Sequence, residues 1–474
     1  MPMPPGDLSY THPVMTTNTK PFPGKLLGTI LSGLLLLACI SCTTVPELVT
    51  PETALQSYLQ NEDASFAWNV KGSYTLDALS VYDLRLTSQQ WREHTWKHTL
   101  TIIVPEKIKH EGALLFITGG KNKDGEPIKR GGDDEFIQSM ARVAEKNAAL
   151  VAIIWQIPNQ PLYDGMTEDV LISYTLHNYQ KDGDFTWPLL FPMVKTAVRA
   201  MDAVQAFSSD MLDFDISRFV VTGASKRGWT TWLTGAHDAR VAAIAPMVID
   251  VLNMPVNLDY QVKVWEEYSI QIEDYVKLGI PQDVHSEKGN DLTAMIDPYS
   301  YRDKLVMPKM IFIGTNDEYW PVDAIKHYID DIPGKNFIHY VPNAGHGLDD
   351  GQQALTALSG FFGLTLSGTP YPVCNWKIEQ SDRELLLSVE TSPDLLLGAR
   401  LWSADSEDRD FRDEMWDSQT YADPLQKKLE VRVELPESGF RAFYLELSYP
   451  DPNGGEYTQS TRMFVADAGK LLED

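Results

Sequence analysis

The stretch Arg218-Phe219-Val220-Val221-Thr222-Gly223-Ala224-Ser225-Lys226-Arg227-Gly228-Trp229 decides the fold. A short apolar run of strand character enters a tight turn that carries a serine, and the segment beyond it reads as a helix. Serine is a weak nucleophile until a base takes its proton, and a sharp strand-to-helix turn holds Oγ clear of its own backbone. Gly223 and Gly228 suit such an elbow. The usual pattern is G-x-S-x-G, whereas here Arg227 stands second after the serine and the glycine follows one place later.

A serine elbow needs an acid and a histidine, in the chain order Ser, Asp/Glu, His. Both follow. The buried run Met310-Ile311-Phe312-Ile313 ends in Gly314-Thr315-Asn316-Asp317-Glu318-Tyr319-Trp320, which sets Asp317 just past a strand's carboxyl end. A second run, 337–341, leads into Pro342-Asn343-Ala344-Gly345-His346-Gly347, where flanking glycines allow a close approach. Ser225 reads as nucleophile, His346 as general base and then acid, and Asp317 as the group that fixes the imidazole tautomer. Asp250, after the run 241–248, is the alternative acid. Acyl transfer also needs oxyanion donors. The backbone N–H of Lys226 is one, and Thr118-Gly119-Gly120-Lys121, directly after the run 112–118, offers Gly120 or Lys121 as the second. The Lys226 side chain is either an added positive charge at that site or a plain surface lysine.

Outward from the elbow, 112–118 and 148–155 are continuous apolar runs that read as parallel strands buried on both faces. Helical spacing over 135–147, capped by Asp133 or Asp134, and over 189–207 alternates with them, which predicts an α/β doubly wound, mostly parallel sheet. The stretch 253–304 is longer than a connection needs and carries Tyr260, Trp265, Tyr268, Tyr275 and Tyr299, a candidate cap insertion whose aromatics either face substrate or pack. Residues 91–104 alternate, with His94, Trp96 and His98 on one face; lacking a third ligand, they read as edge-strand surface. After Ser367-Gly368-Thr369-Pro370-Tyr371-Pro372 the character changes to short strands, with a hairpin signal at Asn453-Gly454, which predicts an immunoglobulin-like β-sandwich over 370–474. The catalytic domain is then 67–366, preceded by a polar tether at 43–66 that has room for one short helix.

At the N-terminus Lys20 and Lys25 precede an apolar run to Ala38 and then Cys39, the plan of a signal peptide over 1–42. The run is shorter than the roughly twenty residues that cross a bilayer. Leu36-Leu37-Ala38-Cys39 resembles a lipobox, in which Cys39 is lipidated; an ordinary secretory peptide is the other reading. Translation from Met1 or from Met15 fits this plan. An exported protein held to the cell envelope follows, with isoleucine after Cys39 favouring the outer membrane over the periplasm. Three cysteines in 474 residues build no disulfide framework, so a large core must supply stability. A formal charge of −26 repels nucleic acid and anionic lipid surfaces. No cluster has metal-ligand spacing and no glycine-rich stretch has the phosphate-binding pattern, so no metal or cofactor is expected.

The chain resembles the PhoPQ-activated pathogenicity-related proteins, relatives of the α/β-hydrolases. The resemblance rests on Ile157-Pro158-Asn159-Gln160-Pro161, on Phe191-Pro192-Met193 through Val198-Arg199-Ala200-Met201-Asp202, on Gly223-Ala224-Ser225-Lys226-Arg227-Gly228-Trp229, and on Asn343-Ala344-Gly345-His346. It spans nearly all of the chain between about Trp68 and Val465, and that family shares the arginine at the place of Arg227. The resemblance implies an α/β-hydrolase catalytic domain and no particular substrate. Two functions stay open: a serine hydrolase cleaving an ester or a peptide bond through an acyl-enzyme, and a non-catalytic binding or envelope-protection protein on a hydrolase scaffold.

Overall fold

The computed structural model describes residues 48–421 and 428–473. Expectations placed on the leader, including the signal peptide and lipidation of Cys39, lie outside the described residues. Cys374 is a free, half-buried thiol.

Helix α1 (Pro51–Leu59) occupies part of the segment expected to be a tether. It belongs to the folded body instead. Leu55 is fully buried, and the Tyr58 hydroxyl donates to Gln89 Oε1 at 2.6 Å while its ring packs on Phe191. Apolar positions at helical spacing gave α1 a face to bury, which overrides its polar composition.

Strands β1 (Ala67–Leu76), β2 (Leu79–Trp91) and β3 (His94–Val104) form an antiparallel meander that joins the central sheet. The chain continues through β4 (Gly112–Ile117), a small hairpin of β5 (Asn122–Lys123) and β6 (Glu126–Pro127), helix α2 (Glu135–Asn147) and β7 (Leu150–Ile154). Helices α3 (Glu168–Asp182) and α4 (Leu190–Leu212) lead to β8 (Arg218–Ala224), α5 (Lys226–His237) and β9 (Val241–Met247). The inserted segment holds α6 (Met254–Trp265), the single turn α7 (Glu273–Val276) and α8 (Glu287–Ile296), and β10 (Lys309–Gly314), β11 (Asn336–Val341) and α9 (Gln352–Ser367) follow.

These strands line up as β1-β2-β3-β7-β4-β8-β9-β10-β11, parallel from β7 to β11. The parallel strands are buried almost throughout, as continuous apolar runs dictate. Helix α2 shows the local logic. Asp134 caps it by accepting from the Phe136 and Ile137 N–H groups at 3.0 and 3.2 Å, and its stripe of Ile137, Met140, Ala141 and Ala144 is buried. From β4 the chain crosses to β7 on one side and returns to β8 on the other, so the strand order reverses beside β8. Binding clefts of such sheets open at the carboxyl ends of the strands at this point.

The strand β3 is interior, between β2 and β7, and this corrects the edge-surface reading of its histidines. His98 is fully buried, hydrogen-bonded to Trp155 O and Ser88 Oγ at 3.0 Å each, and burial pushes its imidazole down to about 4. It is a neutral core residue.

Beyond residue 370 the chain forms β12 (Cys374–Ser381), β13 (Glu384–Thr391), β14 (Gly398–Ser406), β15 (Asp417–Tyr421), β16 (Lys428–Glu434), β17 (Phe440–Pro450), β18 (Glu456–Ser460) and β19 (Phe464–Asp467). The expected separate sheet is only partly separate. Strand β18 pairs with β11 at Ile338 and Ser460, so β18, β17, β14 and β15, with β19 paired to β17, extend the central sheet to fourteen strands and cover its edge. Strands β12, β13 and β16 make a second, three-stranded sheet. Its Leu385, Leu387, Val431 and Val433 share one apolar cluster with Leu445 and Leu447 of the large sheet and with Phe337 and Phe361 of the α/β part. This common core makes Thr50–Asp474 one compact unit.

Candidate active site

Ser225 sits between β8 and α5 with φ 58° and ψ −126°, a conformation that costs a non-glycine residue about 1–3 kcal/mol. The surroundings hold it there. Its N–H donates to Met247 O and its carbonyl accepts from Trp229 N–H, each at 2.9 Å. A Cβ on Gly223 would lie 2.8 Å from Arg227 O, and one on Gly228 would lie 2.7 Å from Met247 O, so both positions need glycine for close approach. Arg227, the departure from the usual pattern, is a strut. Its guanidinium donates to Ile157 O and, at 2.8 Å, to Glu168 Oε1, and it lies close against Gly119.

Glu168 is the hub of this bracing. Burial alone would raise its carboxyl, but the hydrogen bond and charge of Arg227, with Lys226 and Gln160, bring it down to about 2. Gln160 accepts from Glu168 N–H at 2.7 Å and donates to Gly120 O at 3.1 Å, so Ile157-Pro158-Asn159-Gln160-Pro161 ties the elbow to the glycine loop after β4. Lys226 settles differently from both sequence readings. Its side chain is buried, with Nζ 2.8 Å from Asp169 and 3.1 Å from Glu168, and is neither a surface lysine nor a free charge. Its backbone N–H, at the first position of α5, has no acceptor within the helix.

Asp317 and His346 leave the carboxyl ends of β10 and β11 and meet. His346 Nδ1 lies 2.9 and 3.1 Å from the two carboxylate oxygens of Asp317. A carboxylate only accepts, so the proton sits on Nδ1 and Nε2 presents its lone pair. Nε2 is buried without a protein partner. Asp317 also accepts from Tyr319 N–H at 2.8 Å, Glu318 accepts from His346 N–H at 2.9 Å, and the Tyr319 ring stacks on the imidazole with centroids 4.0 Å apart. Burial, reinforced by Asp169, Asp317 and Glu318, holds the Tyr319 phenol up at about 12, so it stays neutral.

Asp250 is elsewhere. Its carboxylate accepts from the Tyr328 hydroxyl at 2.6 Å, and burial pushes its pKa up to about 7.

Two asparagines clasp the acid and histidine loops to the C-terminal region. Asn316 Nδ2 donates to the carbonyls of Phe411, Arg412 and Glu414 at 3.1, 3.3 and 2.7 Å. Asn343 accepts from Trp416 N–H at 2.7 Å and donates to Trp416 O at 3.1 Å, and Thr315 Oγ1 bridges the loops by accepting from Asn343 N–H at 2.8 Å.

Ser225 and His346 line one cavity of about 90 Å³, walled chiefly by apolar side chains from α3, α5 and the inserted segment 253–304. Of the five aromatics named in that segment only Tyr275 borders it; Tyr260 bonds Asp323, Trp265 lies under Arg412 and Tyr299 bonds Asp331. Gly120 and Lys121 are not among its lining residues. Glu168, Asp169 and the Asn316–Asn343 clasp went unread in the sequence. Asn316 and Asn343 stood in quoted stretches, but with no role assigned to either. Among the described residues no group of three or more His, Cys, Asp or Glu side chains could hold a metal ion.

A model of the PhoPQ-activated pathogenicity-related protein family matches residues 55–412. Autocrine proliferation repressor protein A of Dictyostelium discoideum is 29% identical over 430 residues, which are 84% of this chain and 86% of that protein. Among solved structures, the chain is similar to acetyl xylan esterase 1 from Thermoanaerobacterium, with a TM-score of 0.46 and 16% identity over 67% of this chain and 92% of that one. It is also similar to an acetyl xylan esterase from Paenibacillus, with a TM-score of 0.44 and 15% identity over 66% and 96%.

Proposed function

We propose, for a chain that belongs to the PhoPQ-activated pathogenicity-related protein family, an exported serine hydrolase that works through Ser225, His346 and Asp317. The observation that carries this reading is the His346–Asp317 pair, at 2.9 and 3.1 Å, sharing a cavity with a serine held at positive φ.

In this mechanism His346 Nε2 takes the proton from Ser225 Oγ as Oγ attacks the substrate carbonyl. Asp317 holds the imidazole in the required tautomer and stabilises the imidazolium. The oxyanion accepts from the Lys226 N–H and from the 119–121 loop. His346 then protonates the leaving group, and water, deprotonated by the same imidazole, releases the acyl group from Ser225. Arg227, Glu168 and Gln160 keep the elbow and the glycine loop in register. The C-terminal region, read as an immunoglobulin-like sandwich, acts as a buttress, which the bonds from Asn316 and Asn343 support. The bond cleaved is a carboxylic ester in this reading, with a peptide bond as the competing substrate. Lipidation at Cys39 and attachment to the cell envelope belong to the same proposal, and fractionation that finds only soluble protein contradicts that part.

The test is turnover of a panel of esters and aminoacyl amides by the full chain and by Ser225→Ala of verified fold. Loss of all turnover in the variant supports the reading, and retained turnover refutes it. A parent chain that turns over nothing supports the non-catalytic envelope-protection or binding protein instead.

A further inference from the structure

We infer that the cavity beside Ser225 is an acyl pocket for a short uncharged group, about two to four carbons counting the carbonyl, and that it turns charged acyl groups away. This deepens the serine-hydrolase reading and rests on it.

Size comes first. The cavity measures about 90 Å³. An apolar cavity of about 150 Å³ holds a benzene-sized guest, so this smaller space takes a group of about three or four carbons. Its walls are tied together. Trp229 Nε1 donates to Ile296 O at 2.6 Å, joining α5 to α8, and the Tyr275 hydroxyl donates to Asp169 at 2.9 Å, joining the inserted segment to α3. The ion pair of Lys226 with Asp169 at 2.8 Å joins α5 to α3. Three elements cross-linked in this way resist spreading apart for a longer chain.

Charge comes second. Apart from His346, the ionic side chains in the wall are Asp169 and Lys226, and they neutralise each other. Behind them Glu168 is matched to Lys226 and Arg227. A substrate carboxylate could reach Lys226 only by displacing Asp169, which then keeps the Tyr275 hydroxyl alone, and an ammonium could reach Asp169 only by displacing Lys226, which then keeps Glu168 alone. Either exchange breaks a largely buried ion pair, which is unfavourable. The rest of the wall is chiefly apolar, with Leu176, Val251, Leu258, Ile272 and Ile280 among it. The acyl group, not the alcohol, belongs here because it stays bound to Ser225 after the leaving group departs, and a tied cavity suits the part that stays.

The experiment measures kcat/KM of the full chain on 4-nitrophenyl esters from acetate to octanoate, with the succinate half-ester and the glycine ester as charged probes. One methylene too many in a hydrophobic pocket costs roughly 10- to 200-fold. The expected profile therefore peaks between acetate and butyrate and falls at least tenfold, on the order of that cost, by octanoate. Both charged esters fall well below butyrate. Leu258→Ala and Ile280→Ala, each checked for fold, shift the optimum to longer chains. Octanoate or a charged ester handled as well as butyrate overturns the inference. Fluorophosphonate labelling in parallel separates the failures. A labelled protein with the wrong profile overturns the pocket alone, whereas a protein neither labelled nor active overturns the hydrolase reading with it.

Discussion

Replacing Asp250 by asparagine separates the two carboxylates that compete on paper for His346. Burial raises the Asp250 carboxyl to about 7 despite the hydrogen bond from Tyr328, and the charge of Asp317 adds to the rise. In the unfolded chain an aspartate titrates near about 3.9. Between about pH 4 and about pH 7 the native protein therefore holds a proton that the unfolded chain has lost, and stability falls as pH rises through that window. One group with such a shift changes stability by up to about 1.4 kcal/mol per pH unit. From about pH 5 to about pH 7 that amounts to roughly 2–3 kcal/mol. The amide in Asp250→Asn keeps an oxygen to accept from Tyr328 and never ionises. Asp297, also buried and raised to about 7, contributes the same slope to both proteins and cancels in their difference. Urea midpoints measured across this range should show Asp250→Asn gaining on the parent as pH rises, with hydrolysis nearly unchanged. Parallel stability curves would refute the assignment of a buried, proton-holding Asp250. Loss of hydrolysis in a folded Asp250→Asn protein would refute the assignment of Asp317 as the partner of His346.

Asp317→Asn should lower kcat on the order of 10⁴-fold without unfolding the protein, because the imidazole loses its tautomer control; ester kinetics check this. Asn343→Ala should lower kcat about tenfold or more with KM little changed, since it frees the histidine loop from Trp416, and small misplacements at the reacting atoms are costly. A Cβ on Gly314 would run into the carbonyls of Ala344 and Gly345, so Gly314→Ala should displace the histidine loop and cut activity more than thermal stability. The kinetic and melting comparison of that variant with the parent reads both.

Local signals carried most of what was legible. Apolar runs bounded by turn residues placed β4, β8, β10 and β11 within about a residue, because strands buried on both faces have little choice of side chain. The serine, acid and histidine could be read for the same reason, since each stands in a short loop directly after such a strand. What stayed hidden depends on pairs far apart in the chain. Glu168 meets Arg227, Asn343 meets Trp416 and Ile338 meets Ser460, and no periodicity marks any of them. His98 looked like surface because alternation shows that a strand has two faces and does not say that α4 covers one of them, where Thr196 lies beside the His98 imidazole. A short helix within the tether fits the sequence, but the docking of α1 against Gln89 and Phe191, which makes it part of the fold, has no local signal. Lys226 shows the same limit, since its two carboxylate partners lie on α3.

The central claim is that Ser225 is an activated nucleophile. Labelling of the purified chain with a fluorophosphonate probe, followed by mapping of the adduct, tests it most directly. The account predicts one adduct, on Ser225, that disappears in Ser225→Ala and in His346→Ala proteins of verified fold. An unlabelled parent chain, or labelling that survives either substitution, would contradict it.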